Sequence, residues 1–164
     1  MPQWVAPDIR RARAYRGEHA VTTTNQTIRP LHQRLVELAG TEEVFSVVAA
    51  RLYDRILGPT DGDPDLDGDI ELVRYFRRPD GALIDRARLQ QHMTYFLTAA
   101  AGGPQRYTGR GMAVAHAGLG ITDAAFDRVI GHVVAVLTDL GVPAAWIAEV
   151  GAAVAPLRGP VVTA

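Results

Sequence analysis

The sequence has no cysteine and no long apolar run. Without cysteine the chain can form neither a disulfide framework nor a thiolate ligand for a metal, and thiol catalysis is excluded. No stretch approaches the roughly 18 uninterrupted apolar residues of a transmembrane helix, and the N-terminus lacks the apolar core of a signal peptide. We therefore expect a cytoplasmic protein without a membrane partner.

The chain also lacks an excess of either charge and the motifs of common hydrolases. Its 17 basic and 18 acidic residues leave a formal net charge of −1, which argues against nucleic acid or an anionic membrane as the main partner. No GxSxG, P-loop or HExxH pattern occurs. The composition is otherwise ordinary, with 48% hydrophobic residues over 164 positions, which suffices for one domain with a sizeable core.

Two regions of the chain differ in pattern. Residues 1–29 mix Arg, Thr, Gln and Pro with little periodicity, and we predict that they form a weakly structured arm. From residue 30 to residue 161, apolar residues recur at the spacing of amphipathic helices, and no segment alternates as a strand would. The sequence therefore predicts one all-α domain over residues 30–161, preceded by the arm.

Two threonines stand where helices are expected to begin. Thr41 precedes two glutamates that suit the positive end of a helix dipole, and Thr122 precedes a helix predicted for residues 123–140. His132 falls off the apolar stripe of that second helix. We therefore predict that His132 lies at the surface or at an interface.

His116 is the residue with the clearest chemical potential. Met112, Ala115, His116 and Leu119 lie at i, i+3, i+4 and i+7 and share one face of a short predicted helix. A neutral imidazole among apolar neighbours is a good ligand for iron. The spacing alone nevertheless favours a core histidine bonded to a backbone carbonyl, and it leaves the iron ligand as the alternative.

The string around His116 carries a family resemblance. GGPQRYTGRGMAVAHAGLGITDAAF, residues 102–126, resembles the haem-binding segment of group I truncated haemoglobins. In that family the histidine at the His116 position is the proximal haem ligand. The resemblance implies a truncated globin-like two-over-two helical sandwich over residues 30–161, with haem b held by this one coordinate bond and by apolar contacts. No CxxCH motif is present for covalent attachment.

Other segments extend the resemblance to the distal side of a haem pocket. LYDRIL resembles the family's FYxRVL segment, which implies that Tyr53 donates a hydrogen bond to bound dioxygen. Leu89 stands where many globins have a distal histidine, and Met93 stands where a glutamine often supplies a second hydrogen bond. His92 lies on the same helix and is a candidate sixth iron ligand. Together, the residues that the resemblance implies for the haem pocket are Tyr53, Phe76, Leu89, His92, Met93, Phe96, Leu97, Tyr107, Met112, Ala115, His116, Leu119, Ile121, Phe126 and Val129.

The resemblance implies a protein that binds dioxygen and other diatomic ligands reversibly. It also allows enzymatic conversion of nitric oxide to nitrate, which would need a reductase partner. Two alternatives stay open at this point. One is a haem protein for electron transfer or ligand sensing in which His92 closes the sixth site. The other is a haem-free helical interaction or calcium-binding module.

The calcium alternative rests on the acidic stretch at Asp61–Asp69, part of an insertion at about residues 59–72 relative to the family. Its alternating aspartates match the first half of an EF-hand loop. The twelfth position of that register is Arg74, where a bidentate glutamate is expected. The sequence therefore favours a solvated acidic loop over a calcium site.

Overall fold

The computed structural model describes residues 29–164, which fold into helices joined by short loops. The predicted N-terminal arm, apart from Arg29, lies outside the described residues. Two 3-10 turns, Arg74–Phe76 and Ala155–Leu157, accompany the α-helices. The α-helices are α1 Leu31–Ala39, α2 Val44–Leu57, α3 Pro64–Asp67, α4 Ile70–Val73, α5 Arg86–Ala100, α6 Met112–His116, α7 Asp123–Asp139, α8 Ala144–Val154 and α9 Arg158–Val161.

The long helices pack as two pairs. Helix α2 packs along α5, α7 packs against α8, and α2 also contacts α7, which joins the two pairs. The centre of the core is formed by side chains that are at most 1% exposed, among them Leu52, Ile56 and Leu57 of α2 and Val136 of α7. Between residues 29 and 164 no strand forms, and the β-type pairing is limited to one isolated bridge between Arg77 and Leu83.

Of the two threonines predicted to cap helices, one does so and the other does not. The side chain of Thr122 accepts a hydrogen bond of 3.1 Å from the backbone N–H of Ala125, so it caps α7 as predicted. Thr41 instead accepts a bond from the N–H of Glu43 in the turn before α2, and the helix begins at Val44 without a side-chain cap. The predicted cap at Thr41 is therefore wrong, because Thr41 stabilises the turn that precedes α2 and does not bond to an N–H of the helix itself.

Helix α1 is attached to the second pair through a buried arginine. Arg34 is 5% exposed, donates to both carboxylate oxygens of Glu149 in α8, and lies 5.1 Å from the ring centroid of Trp146. A bidentate pair of this kind fixes the relative orientation of two helices as well as their separation.

The acidic segment is mostly exposed to solvent, as the sequence favoured, but it contains one helical turn, α3, and α4 follows it directly. Each of the two helices is begun by an aspartate whose side chain accepts a backbone N–H, Asp63 from Asp65 at 2.9 Å and Asp69 from Glu71 at 3.2 Å. The aspartates thus cap helices and form ion pairs, and their carboxylates do not converge on a common point that could bind a cation. In the described part of the chain no group of three or more acidic, histidine or cysteine residues is arranged to hold a metal ion.

None of the helices in the described region is both long and apolar enough to cross a membrane.

Candidate functional site

The two helix pairs enclose an open apolar cavity of about 340 Å³. One wall comes from α2 and α5, the opposite wall from α6 and α7, and the floor from the C-terminal segment. Every residue that the sequence predicted for a haem pocket lines this cavity. These residues are Tyr53, Phe76, Leu89, His92, Met93, Phe96, Leu97, Tyr107, Met112, Ala115, His116, Leu119, Ile121, Phe126 and Val129.

Ten further residues line the cavity that the sequence reasoning did not include. Three of them lie on α7 at helical spacing from Phe126 and Val129, so the same periodicity could have identified them. The others come from α4, the following turn, two loops and the C-terminus, where no local pattern points to the cavity. The ten are Leu72, Tyr75, Ile84, Arg110, Ala125, Ile130, Val133, Val154, Leu157 and Val161.

His116 is the last residue of α6 and is held by the helix itself. Its Nδ1 lies 2.7 Å from the carbonyl oxygen of Met112, one turn earlier. Because a carbonyl can only accept, Nδ1 carries the proton of the neutral ring and Nε2 keeps its lone pair. The two readings of His116 are therefore compatible, since the ring makes the backbone bond of a structural histidine and still presents one nitrogen for a metal.

Tyr53 supplies a hydroxyl group to the opposite wall. Its side chain is 4% exposed, and its ring meets Phe76 edge to face with centroids 5.8 Å apart. Burial raises the pKa of Tyr53 well above its usual range, so the hydroxyl stays protonated and able to donate. Arg86 donates a hydrogen bond of 3.5 Å to the backbone carbonyl of Tyr53, whereas the Tyr53 hydroxyl forms no hydrogen bond with any residue between 29 and 164. The hydroxyl is thus available for a ligand.

His92 and Tyr107 meet across the cavity. His92 lies on α5 and Tyr107 in the loop before α6, and their rings are nearly perpendicular with centroids 5.3 Å apart. The Tyr107 hydroxyl donates to the carbonyl of Arg110 at 2.8 Å, which fixes the ring in its loop. His92 therefore lies where α5 meets the loop that leads to His116.

His132 occupies a different place. It is half-buried on α7, outside the cavity lining, and its Nε2 lies 2.8 Å from a carboxylate oxygen of Asp69. The prediction of a surface or interface position missed this contact, because the partner is 63 residues away in the sequence.

The bacterial-like globin family model matches residues 34–162, which is most of the chain. The chain belongs to the bacterial-like globin family.

Relatives of known name agree with this globin assignment. The chain is 35% identical to the group 1 truncated haemoglobin GlbN of Mycolicibacterium paratuberculosis, over 76% of this chain and 80% of that protein. It is 37% identical to the group 1 truncated haemoglobin GlbN of Synechocystis, over 72% of this chain and 86% of that protein. The resemblance read from the GGPQRYTGRGMAVAHAGLGITDAAF string is thereby confirmed.

Solved structures confirm the predicted two-over-two fold. The truncated haemoglobin of Tetrahymena pyriformis in its Fe(III) form superposes with a TM-score of 0.67 at 24% identity, covering 83% of this globin and all of that chain. The 2/2 haemoglobin of Synechococcus, solved in the cyanomet state with covalently attached haem, gives a TM-score of 0.64 at 27% identity, covering 81% and 98%. The all-α sandwich is therefore the fold of this globin.

Globins are haem proteins, and the residues of this cavity fit that group. The lining is almost entirely apolar, the volume lies within the roughly 300–1,000 Å³ of cofactor sites, and one neutral imidazole presents a free nitrogen. Histidine is the proximal ligand that globins use for haem iron. The chain offers no thiol for a covalent attachment through cysteine.

Proposed function

We propose that this globin holds haem b through Nε2 of His116 and binds dioxygen reversibly, with other diatomic gases as competing ligands. The observation that carries the proposal is the 2.7 Å contact between Nδ1 of His116 and the carbonyl of Met112, in the wall of an apolar cavity. When bound, haem supplies the ferrous centre at which such ligands bind. The chain supplies the remaining properties of the site.

The bond from Nδ1 orients the His116 ring and fixes its tautomer. A metal-ligating histidine commonly donates its other N–H to an oxygen acceptor, which fixes the tautomer and strengthens the ligand. In this globin the acceptor belongs to the same short helix, four residues earlier. The ligand geometry is consequently built into one turn of α6 and needs no side chain from elsewhere.

The distal wall contributes one firm donor and several apolar contacts. Tyr53 donates from a protonated hydroxyl, whereas Leu89 and Met93 can donate nothing. A ligand that gains partial negative charge on binding is stabilised by such a donor, because hydrogen bonds to charged acceptors are the stronger ones. We propose that Tyr53 retains dioxygen in the pocket.

His92 supports a second candidate function. It lines the same cavity as His116, from the opposite wall, so it is a candidate sixth ligand for the iron. A site closed in this way suits electron transfer or ligand sensing. The His92 ring packs edge to face on Tyr107, and this contact would have to change for the ring to move to the iron. For this reason we favour the open, dioxygen-binding form. Nitric oxide conversion and a reductase partner stay predictions of the family resemblance.

Absorption spectra of the purified protein test both candidates. We expect a Soret band after haem addition, a five-coordinate ferrous spectrum and a large shift with carbon monoxide. A split, low-spin visible pattern in the ferrous protein without added ligand would instead indicate closure by His92.

The variant His116→Ala tests the central ligand. We expect it to lose haem, or to regain a haem spectrum only when imidazole is added to fill the space of the missing ring. His132→Gln is the matched control, because it removes a histidine that does not line the cavity. An alanine variant that keeps its colour and axial coordination would contradict the proposal, and a wild-type protein without a Soret band would favour the haem-free module.

A further inference from the structure

The loop between α5 and α6 places one aromatic ring in the cavity. Tyr107 is half-buried and lines the cavity, whereas residues 104–106 and 108–110 on either side of it are exposed. The loop thus lies at the surface, and the Tyr107 ring is the part of it that reaches His92 on α5.

Two hydrogen bonds and one glycine hold the Tyr107 ring in this place. Its backbone N–H donates to the side-chain oxygen of Gln105 at 3.0 Å, and its hydroxyl donates to the carbonyl of Arg110 at 2.8 Å. Gly109 leaves room for the ring, because a Cβ atom built at that position would overlap Cζ and Oη of Tyr107. A Cβ atom at Gly111 would meet no atom beyond its chain neighbours within 4 Å. The position of the ring therefore depends on Gly109 and not on Gly111.

The His92 ring packs on Tyr107 and is held there by packing alone. The two rings are nearly perpendicular, at 80°, with centroids 5.3 Å apart. In the part of the chain that the structure describes, the ring nitrogens of His92 form no hydrogen bond or ion pair with a protein group. The contact with Tyr107 is therefore what opposes a movement of this ring toward a metal held by His116.

We propose that Tyr107 is a positioning residue, which holds His92 away from the haem iron and keeps the sixth coordination site open for dioxygen. The His92 ring has to leave Tyr107 in order to ligate the iron, so the two arrangements exclude each other. The edge-to-face contact stabilises only the open form, and it shifts the equilibrium between six-coordinate and five-coordinate iron. An aromatic pair of this kind corresponds to about two- to tenfold in that equilibrium. The inference rests on the proposed haem-binding function.

Ferrous spectra of the haem-loaded, full-length protein without added ligand test the proposal. Tyr107→Leu removes the ring, whereas Gly109→Ala keeps the ring but displaces it. We expect each variant to raise the ratio of low-spin six-coordinate to high-spin five-coordinate iron about two- to tenfold. Gly111→Ala is the matched control in the same loop and should keep the wild-type ratio, because its added methyl group meets no other segment.

The ratio is taken per bound haem, so that an altered haem affinity does not enter it. Small low-spin fractions are read from the slow phase of carbon monoxide binding. A double variant identifies the ligand: adding His92→Gln to Tyr107→Leu should remove the low-spin species, because glutamine has no imidazole to ligate the iron.

Three results would overturn the role of Tyr107 and leave haem binding intact. Either Tyr107→Leu or Gly109→Ala could keep the wild-type ratio, Gly111→Ala could match their effect, or the low-spin species could persist without His92. A wild-type protein that is fully six-coordinate through His92 would refute this role together with the open form. A wild-type protein without a Soret band after haem addition would refute the proposed function, and this inference with it.

Discussion

At the scale of single residues, the site depends on two side chains whose hydrogen bonding is set by their surroundings. The carbonyl of Met112 keeps the proton of neutral His116 on Nδ1, which leaves the lone pair of Nε2 free of that bond. Burial raises the pKa of Tyr53, so its hydroxyl remains a donor throughout the physiological range. His116 thereby keeps a lone pair on Nε2 and Tyr53 keeps a hydrogen-bond donor, and both side chains line the cavity.

The variant Tyr53→Phe is expected to release dioxygen faster, by roughly ten- to a hundredfold. A hydrogen bond to a charged acceptor contributes about 1.5–3 kcal/mol, and that stabilisation is lost with the hydroxyl. The measurement is the dissociation rate of dioxygen after rapid mixing with a scavenger.

Tyr95→Phe is the matched control for that experiment, because Tyr95 lies on α5 but does not line the cavity. Since the pKa of Tyr53 is raised, the wild-type rate should also stay constant as the pH is increased to the usual range of a tyrosine. If Tyr53→Phe released dioxygen at the wild-type rate, Tyr53 would have no role in retaining the ligand.

At the scale of helices, the short helix α4 is joined to α7 by one carboxylate. Asp69 is 8% exposed in its side chain, accepts from Arg128 at 3.1 Å and contacts His132 at 2.8 Å, and also caps α4. Burial by itself would raise the pKa of Asp69, but the hydrogen bonds from Arg128 and His132 outweigh it and hold the pKa below the usual value. The contact fixes α4, which supplies Leu72 to the cavity.

Asp69→Asn should lower the free energy of unfolding by about 1–3 kcal/mol at neutral pH, because the buried side chain at position 69 loses its charge-assisted contacts with Arg128 and His132. A carboxyl group whose folded pKa is depressed stabilises the protein above its unfolded pKa and loses that effect as the pH falls through the folded pKa. The difference between wild type and Asp69→Asn should therefore shrink below the ordinary value of 3.8. Denaturant titrations across this pH range measure it.

Asp61→Asn serves as the control for the acidic segment, since Asp61 is exposed and its loss should change the unfolding free energy little. A variant at Asp69 that is as stable as the wild type at every pH would show that the contact with α7 contributes nothing.

At the scale of the whole molecule, the helical sandwich is built around a space that its own side chains do not fill. The core between α2 and α7 is closely packed, whereas the cavity of about 340 Å³ beside it is lined by apolar groups. Apolar surface left without a partner forgoes both burial and dispersion contacts. A haem group that fills this space should therefore stabilise the fold as well as serve its chemistry.

Removal of haem is expected to lower the melting temperature by roughly 5–15 °C. A ligand present at 100 to 1,000 times its dissociation constant stabilises the folded state by about 2.7–4.1 kcal/mol, and each kcal/mol shifts the midpoint of a protein of this size by about 2–4 °C. Circular dichroism of the loaded and haem-free protein measures the difference. Equal melting temperatures for the two forms would show that the cavity gains nothing from a ligand.

The sequence by itself determined the helical class, the family and the residues of the pocket that lie near its motifs. These properties are local: helical spacing places side chains on one face, and the string around His116 fixes the order of its neighbours along the chain. The same periodicity located Leu89, His92 and Met93 on one stripe of α5.

Only the tertiary structure decided which distant segments meet. The partner of His132, the fold of the acidic segment and the position of Arg110 at the cavity each depend on contacts between residues far apart in the chain, which no local pattern encodes. Asp63 resembled a cation ligand in sequence, yet it caps a helix because the backbone N–H of Asp65 lies within reach. Whether two charged side chains pair depends on the distance between them in the folded protein, and the sequence does not state that distance.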